Sequence, residues 1–298
     1  MDVDVHHVVK TLKAYGRHKH VVALLANKCN QRVVFSGGMF HHVDATTQCY
    51  QSLQGLLPVL KRAFWPVTDM SKILKTPNAT GVTKKKKGKK SKLATRRNEK
   101  ETTKKKKKSP NAGKGRFFGS IQGSQVHHEL EDYILLDNKN FTKKYGDQLH
   151  PWTRRILQYI IQQGWYPIQC EFKVGNLALR VGTAIDMICV DTKTGHLVFI
   201  EIKTGYATYF ENSDGTRMRR CLNFMRNSPL NKASVQLMAG VVMLLDQNPT
   251  LKLEHSSSHV LRIDEDNLCA YAIDNAFISR MRPTLMQSMR GATTVAQK

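Results

Sequence analysis

The chain has 298 residues, 41% of them hydrophobic, and carries 47 Lys and Arg against 23 Asp and Glu, a formal net charge of +24. That excess points to a polyanionic partner, nucleic acid first, and no apolar run reaches the roughly 20 residues that span a bilayer, so no membrane partner is expected. The acidic opening from Met1 to His7 is not a signal peptide, and six cysteines without a C-x-x-C pair suit a reducing, intracellular setting rather than a zinc ribbon or iron–sulfur site.

Residues 1–75 form a first segment. Two short apolar-periodic pieces, Val8 to Ala14 and Val21 to Ala26, precede a predicted helix from Leu53 to Phe64. Its Leu56, Leu57, Leu60 and Phe64 share a face, and Pro58 threatens a kink. His18, His20, His41 and His42 fit no zinc spacing and read as ordinary exposed or core histidines. The segment is either an accessory lobe or a small separate domain.

Residues 76–116 are different in kind. Thr83 to Arg116 holds 14 Lys and 3 Arg against Glu99 and Glu101. So few apolar residues cannot bury a core, and the stretch is expected to be disordered. Arg96-Arg97 followed by Lys104 to Lys108 suits a bipartite nuclear address. The same charges suit a nucleic-acid tether acting by counterion release, and a solubilising linker is the plain third reading.

Residues 117–298 read as one α/β domain, a central mixed sheet flanked by helices. Gly123 to about Leu136 is a predicted helix that Ser124 can cap. His127 and Glu131 lie four residues apart on one face, and His128 points roughly 100° away. Pro151 to Gln163 is a second helix, stopped by Gly164, with Trp152, Ile156, Tyr159 and Ile160 as a core stripe. Tyr166 to Val174 is a strand that carries Glu171. Leu177 to Val190 and Leu197 to Ile202 follow as strands joined by the turn signal Asp191 to His196, completing a meander.

These last two strands carry charges that a core strand should lack: Asp186 in one, Glu201 and Lys203 on one face of the other. Two carboxylates at the end of paired strands suit Mg²⁺ and phosphodiester hydrolysis, with the lysine orienting the nucleophile or stabilising developing charge. The bland alternative is a hairpin with an ordinary Glu–Lys pair. Beyond them, Tyr206 to Phe210, including Tyr209, leads into Arg217, Arg219 and Arg220. Rings beside arginines suit a single-stranded nucleic-acid path, and a solvated loop with a hydrophobic anchor suits the pattern equally. Ser228 opens a buried helix to about Leu245, with Gln236 its lone polar side chain near the start. His259 to Ile263 and Leu268 to Ile273 form a closing hairpin, and Asn275 to Met289 a C-terminal helix.

The order Gly182…Asp186, then Glu201-Ile202-Lys203 followed by Thr204-Gly205, resembles the PD-(D/E)XK nuclease superfamily. The likeness is to its RecB-type branch, which includes lambda-type and mitochondrial genome-maintenance exonucleases, and it spans about Gly119 to Asp274. It implies a restriction-endonuclease-like core and a Mg²⁺-dependent DNA exonuclease, with Mn²⁺ an alternative ion, serving replication, recombination or repair. It assigns metal binding to His127, Asp186, Glu201 and the backbone carbonyl of Ile202, and water positioning to Lys203. Gln236 matches the glutamine of a Gln-x-x-x-Tyr motif, while Glu131 and Glu171 take supporting roles. Two departures are plain: Ile185 stands where a proline is usual, and Gly240 where the tyrosine is expected. A reading from another class is a non-catalytic nucleic-acid-binding protein on a nuclease-like scaffold.

Overall fold

The computed structural model describes residues 33–66, apart from 45, 46 and 48, and residues 115–294, apart from 207 and 208. The apolar pieces expected before residue 27, His18, His20 and almost all of the lysine-rich stretch lie outside the described residues. The described chain forms an eight-stranded mixed sheet flanked by helices, an α/β fold. No described helix is long and apolar enough to cross a membrane.

Three strands make the antiparallel meander, the last two rich in β-branched residues: β4 (Trp165–Asn176), β5 (Val181–Asp191) and β6 (Leu197–Thr204). The second strand begins at Val181 and not at Leu177. Leu177 to Arg180 form the turn, closed by the Arg180 amide on the Leu177 carbonyl at 3.1 Å and the Leu179 amide on Asn176 Oδ1 at 2.9 Å. β7 (Ser256–Ile263) runs parallel to β6, and β8 (Leu268–Ile273) returns antiparallel beside it.

On the other side, the hairpin of β1 (Val33–Ser36) and β2 (Met39–Val43) leads into β3 (Tyr50–Gly55). Gln54 and Gly55 pair in parallel with Val181 and Gly182. The strands β1, β2 and β3 are therefore built into the central sheet. Leu53, expected in a helix, is a buried strand residue. Helix α1 (Leu56–Ala63) starts three residues later, which places Pro58 in its first turn, where a missing N–H goes unmissed. Its buried face is Leu56, Val59, Leu60 and Ala63, and Leu57 is exposed.

Helix α2 (Gly115–Leu135) begins well before Gly123, so Ser124 is an interior residue and not a cap. The other α-helices among the described residues are α3 (Asn138–Tyr145), α4 (Pro151–Gln163), α5 (Pro229–Gln247) and α6 (Asn275–Thr294). α4 starts with Pro151 after a His150 cap and ends at Gly164 in the left-handed region, φ 77°. Ser228 caps α5 by accepting from the Asn231 amide at 3.2 Å. The sheet divides two cores: α1, α5 and α6 cover one face, and α2 and α4 the other.

The glycine of Gly182…Asp186 has a packing reason. A Cβ at Gly182 would stand 2.7 Å from Phe40 Cβ, and one at Gly175 would stand 2.8 Å from Leu53 Cδ1. The β1–β2–β3 segment thus rests on bare backbone. Gly182→Val is expected to destabilise the fold by about 1–3 kcal/mol, read as a lower urea midpoint with unchanged slope. Limited proteolysis should then cut first within residues 33–55; wild-type stability in this variant would show that the close approach is not needed.

Candidate metal and phosphoryl-transfer site

Strands β4 and β5 change face together at one pair. Cys170 and Phe172 would share a face in a regular strand, yet Cys170 packs in the core under α2 and α4 while Phe172 packs in the core under α5. Their partners Met187 and Ile185 divide in the same way. Between these two pairs lie Glu171 on one strand and Asp186 on the other. Glu171 carries the switch in its backbone, with φ 48°. For a residue with a side chain, left-handed backbone costs roughly 1–2 kcal/mol and persists where the surroundings impose it.

The β5–β6 ladder stops at Met187 and Ile200, next to this pair. There the Asp186 carboxylate takes over as acceptor, receiving the Ile202 amide at 2.7 Å. The resemblance assigned the carbonyl of Ile202 to a metal; the contact seen here is through its amide. From above, α2 lies close on the end of β6, since a Cβ on Gly123 would meet Thr204 Oγ1 at 2.6 Å. One helical turn later His127 Nδ1 lies 2.8 Å from Glu171 Oε1.

His127, Glu171 and Asp186 each offer a ligand atom, and these atoms all lie within 4.8 Å of one another. Imidazole plus two carboxylates is a donor set for a divalent cation, and a 2.8 Å spacing is close to the edge of an octahedron built on bonds of about 2.1 Å. Burial opposes a charge on His127, but the Glu171 hydrogen bond and the Asp186 charge outweigh it and raise its pKa. On Glu171 burial is likewise overcome by His127, and the pKa falls. Burial raises that of Asp186 against the pull of His127 and Lys203.

Glu201 and Glu131 lie outside this cluster. Glu201 is 1% exposed and accepts from Lys203 Nζ at 2.5 Å. Burial and then the Asp186 charge push its pKa up to about 8 despite Lys203. Lys203 also reaches Gln236 Oε1 on α5 at 3.4 Å. Burial works against its charge, and Glu201 and Asp186 more than restore it. Gly240, one helical turn beyond Gln236, faces β5, where a Cβ would already be 3.3 Å from Ile185 Cγ1. A side chain at that position would crowd Ile185, the isoleucine in the usual proline position. His128 points away, 3.6 Å from Asp132.

The aromatic and arginine stretch is split up. Phe210 is buried against Ala233 and Val260 and anchors the loop. Tyr206 contacts both Tyr209 and Phe210, with ring centroids at 5.6 and 5.2 Å. The contacts of the arginines lie elsewhere. Arg217 donates to the Phe224 carbonyl, Arg220 to the Ser288 carbonyl on α6, and the Arg219 amide to the Phe64 carbonyl. The anchored loop is thus present, and none of these arginine contacts joins the carboxylate cluster.

Sequence reasoning passed over Glu129. It is 1% exposed and holds α2 onto the start of α4, accepting from Gln125, the His150 amide and Thr153. A charged residue amid Val126, Leu130 and their core partners was the available signal.

No protein-family model matches the chain, and no curated protein matches it. A solved structure described as "Crystal structure of SSO0001" aligns over 57% of this chain and 87% of its own length, at 16% identity and a TM-score of 0.19. A likeness of that size carries no argument about fold or function.

Proposed function

We propose that this chain is a divalent-metal-dependent nuclease with a restriction-endonuclease-like core that hydrolyses phosphodiester bonds in DNA. The observation that carries this reading is the convergence of His127, Glu171 and Asp186 beside the Glu201–Lys203–Gln236 unit, on a chain of net charge +24. Mg²⁺ or Mn²⁺ would be held by the first three residues and would supply an activated water and charge neutralisation at the phosphate. The Ile202 amide fixes the orientation of Asp186. Lys203, steadied by Glu201 and Gln236, presents a positive charge where negative charge grows on the phosphoryl oxygens. The excess of Lys and Arg elsewhere supplies affinity for the phosphate backbone.

The test is incubation of end-labelled linear, closed-circular and single-stranded DNA with Mg²⁺, and with EDTA as control. EDTA-sensitive shortening of linear substrates supports the reading, and cutting of circles would add endonuclease action. DNA bound but uncut in all three forms would assign a non-catalytic binding role.

Metal binding can be followed apart from cleavage. His127→Ala should weaken Mn²⁺ binding by more than about tenfold in calorimetry, and His128→Ala by less than about twofold, because only His127 reaches Glu171. Equal losses would place the site elsewhere. A proton on the His127–Glu171 pair competes with the ion for the same atoms. With the His127 pKa raised, affinity should climb as pH rises through it and level off above. A pH-independent affinity would exclude His127 as a ligand.

A further inference from the structure

One side chain near the site is unused by this reading. Lys173 lies two residues beyond Glu171 on β4, with its side chain 29% exposed. Its Nζ donates to the backbone carbonyl of Glu171 at 2.6 Å and lies 3.8 Å from Glu171 Oε2. In a regular antiparallel strand the residue at this position would pair with the strand opposite. Here the pairs on either side, Cys170–Met187 and Phe172–Ile185, are made, and Glu171–Asp186 is not among them. At this left-handed residue the carbonyl accepts from its own strand's lysine. That hydrogen bond stabilises the turned conformation over one in which it is not made. That same conformation sets Glu171 Oε1 against His127.

The geometry points to Lys173 as a positioning residue: its ammonium holds the turned backbone of Glu171 and so presents the Glu171 carboxylate to a divalent cation shared with His127 and Asp186. This rests on the metal-site reading above. The group is neither a ligand nor a participant in bond cleavage. Its effect passes through Glu171 alone, which makes a thermodynamic cycle the decisive test.

The experiment is calorimetric titration of Mn²⁺ into the full-length parent, Lys173→Met, Lys173→Arg, Glu171→Gly and the Glu171→Gly/Lys173→Met double variant, each checked by circular dichroism. Lys173→Met should bind Mn²⁺ about 10–100-fold more weakly, the range for groups that orient metal ligands. Lys173→Arg, which keeps a cationic donor, should recover most of that loss. In the Glu171→Gly background, removing Lys173 should change affinity by less than about twofold, since nothing is left to position. Parent-like affinity in Lys173→Met, or an undiminished loss in the double variant, would overturn the role of Lys173 and leave the metal site standing. If Lys173→Met fails to fold, parent-like affinity in a folded Glu171→Gly protein overturns it instead, because Glu171 would not be a ligand. A parent that binds no Mn²⁺ overturns the site and this role together.

Discussion

Asp186→Ala protein should bind DNA as tightly as the parent and, if the nuclease reading holds, cut it at least about a thousandfold more slowly, a loss of roughly 4 kcal/mol of transition-state stabilisation. Asp186 is the residue most exposed to such a loss because it serves two structures at once. It offers a ligand atom with His127 and Glu171, and it accepts the Ile202 amide where β5 and β6 part. On the same reading, affinity for DNA would come from the excess of Lys and Arg and would be spared. Mg²⁺-dependent cleavage at the parental rate would remove this site from consideration. Glu201 and Lys203 need a different design. Breaking a buried ion pair by removing one partner costs about 3–5 kcal/mol, so Glu201→Ala and Lys203→Ala would lose activity partly by unfolding. Glu201→Gln and Lys203→Gln, with melting curves beside the rates, separate the two effects. Both should lose cleavage with retained structure, and a parental rate in either would detach that residue from the chemistry.

Deletion of residues 83–110 should have the second large effect, on binding and not on turnover. The deletion removes 13 Lys and 2 Arg against Glu99 and Glu101. Each phosphate neutralised on duplex DNA contributes about 0.9 to the slope of log K against log salt, so the loss of only five contacts would flatten the slope by about 4.5. Uniform binding lowers KM without raising kcat, so the rate at saturating substrate should hold. Parallel salt titrations and saturating kinetics on both proteins decide it. Equal slopes would mean that the tract is an address or spacer, and a collapsed saturating rate would mean that it helps to build the active site.

The meander and the helices α4 and α5 were readable because their signals are local. The β-branched runs around Asp191 to His196, the Pro151 start and Gly164 stop of α4, and the Ser228 cap of α5 each reside in a few adjacent residues. β3 was not readable. In Tyr50–Gly55 only Leu53 is buried, and what makes it a strand is backbone pairing with β2 and, at its end, with β5. A one-sided apolar run from Leu53 to Phe64 therefore read as one helix. The site was legible as a set of residue types but not as a division of labour. Glu171 and Glu201 differ little in sequence terms. One is turned toward His127 by a left-handed backbone, and the other is pressed into the core against Lys203. Neither fact is carried by composition or spacing.

The parallel pairing of β3 with β5 also sets an order of events during synthesis. Gln54 and Val181 are separated by about 130 residues, so at 5–20 residues per second the N-terminal hairpin leaves the ribosome roughly 6–25 s before its neighbour in the sheet exists. Through that interval Val33, Phe40 and Leu53 have no Gly175 or Gly182 to rest on, and β3 is an open edge. A nascent chain stalled before β5 should therefore bind holding chaperones through residues 33–66 and release them once residue 191 has emerged. The slowest step of refolding should then be the docking of this early-made hairpin onto a late-made strand, a non-local contact whose loop must close before it is rewarded.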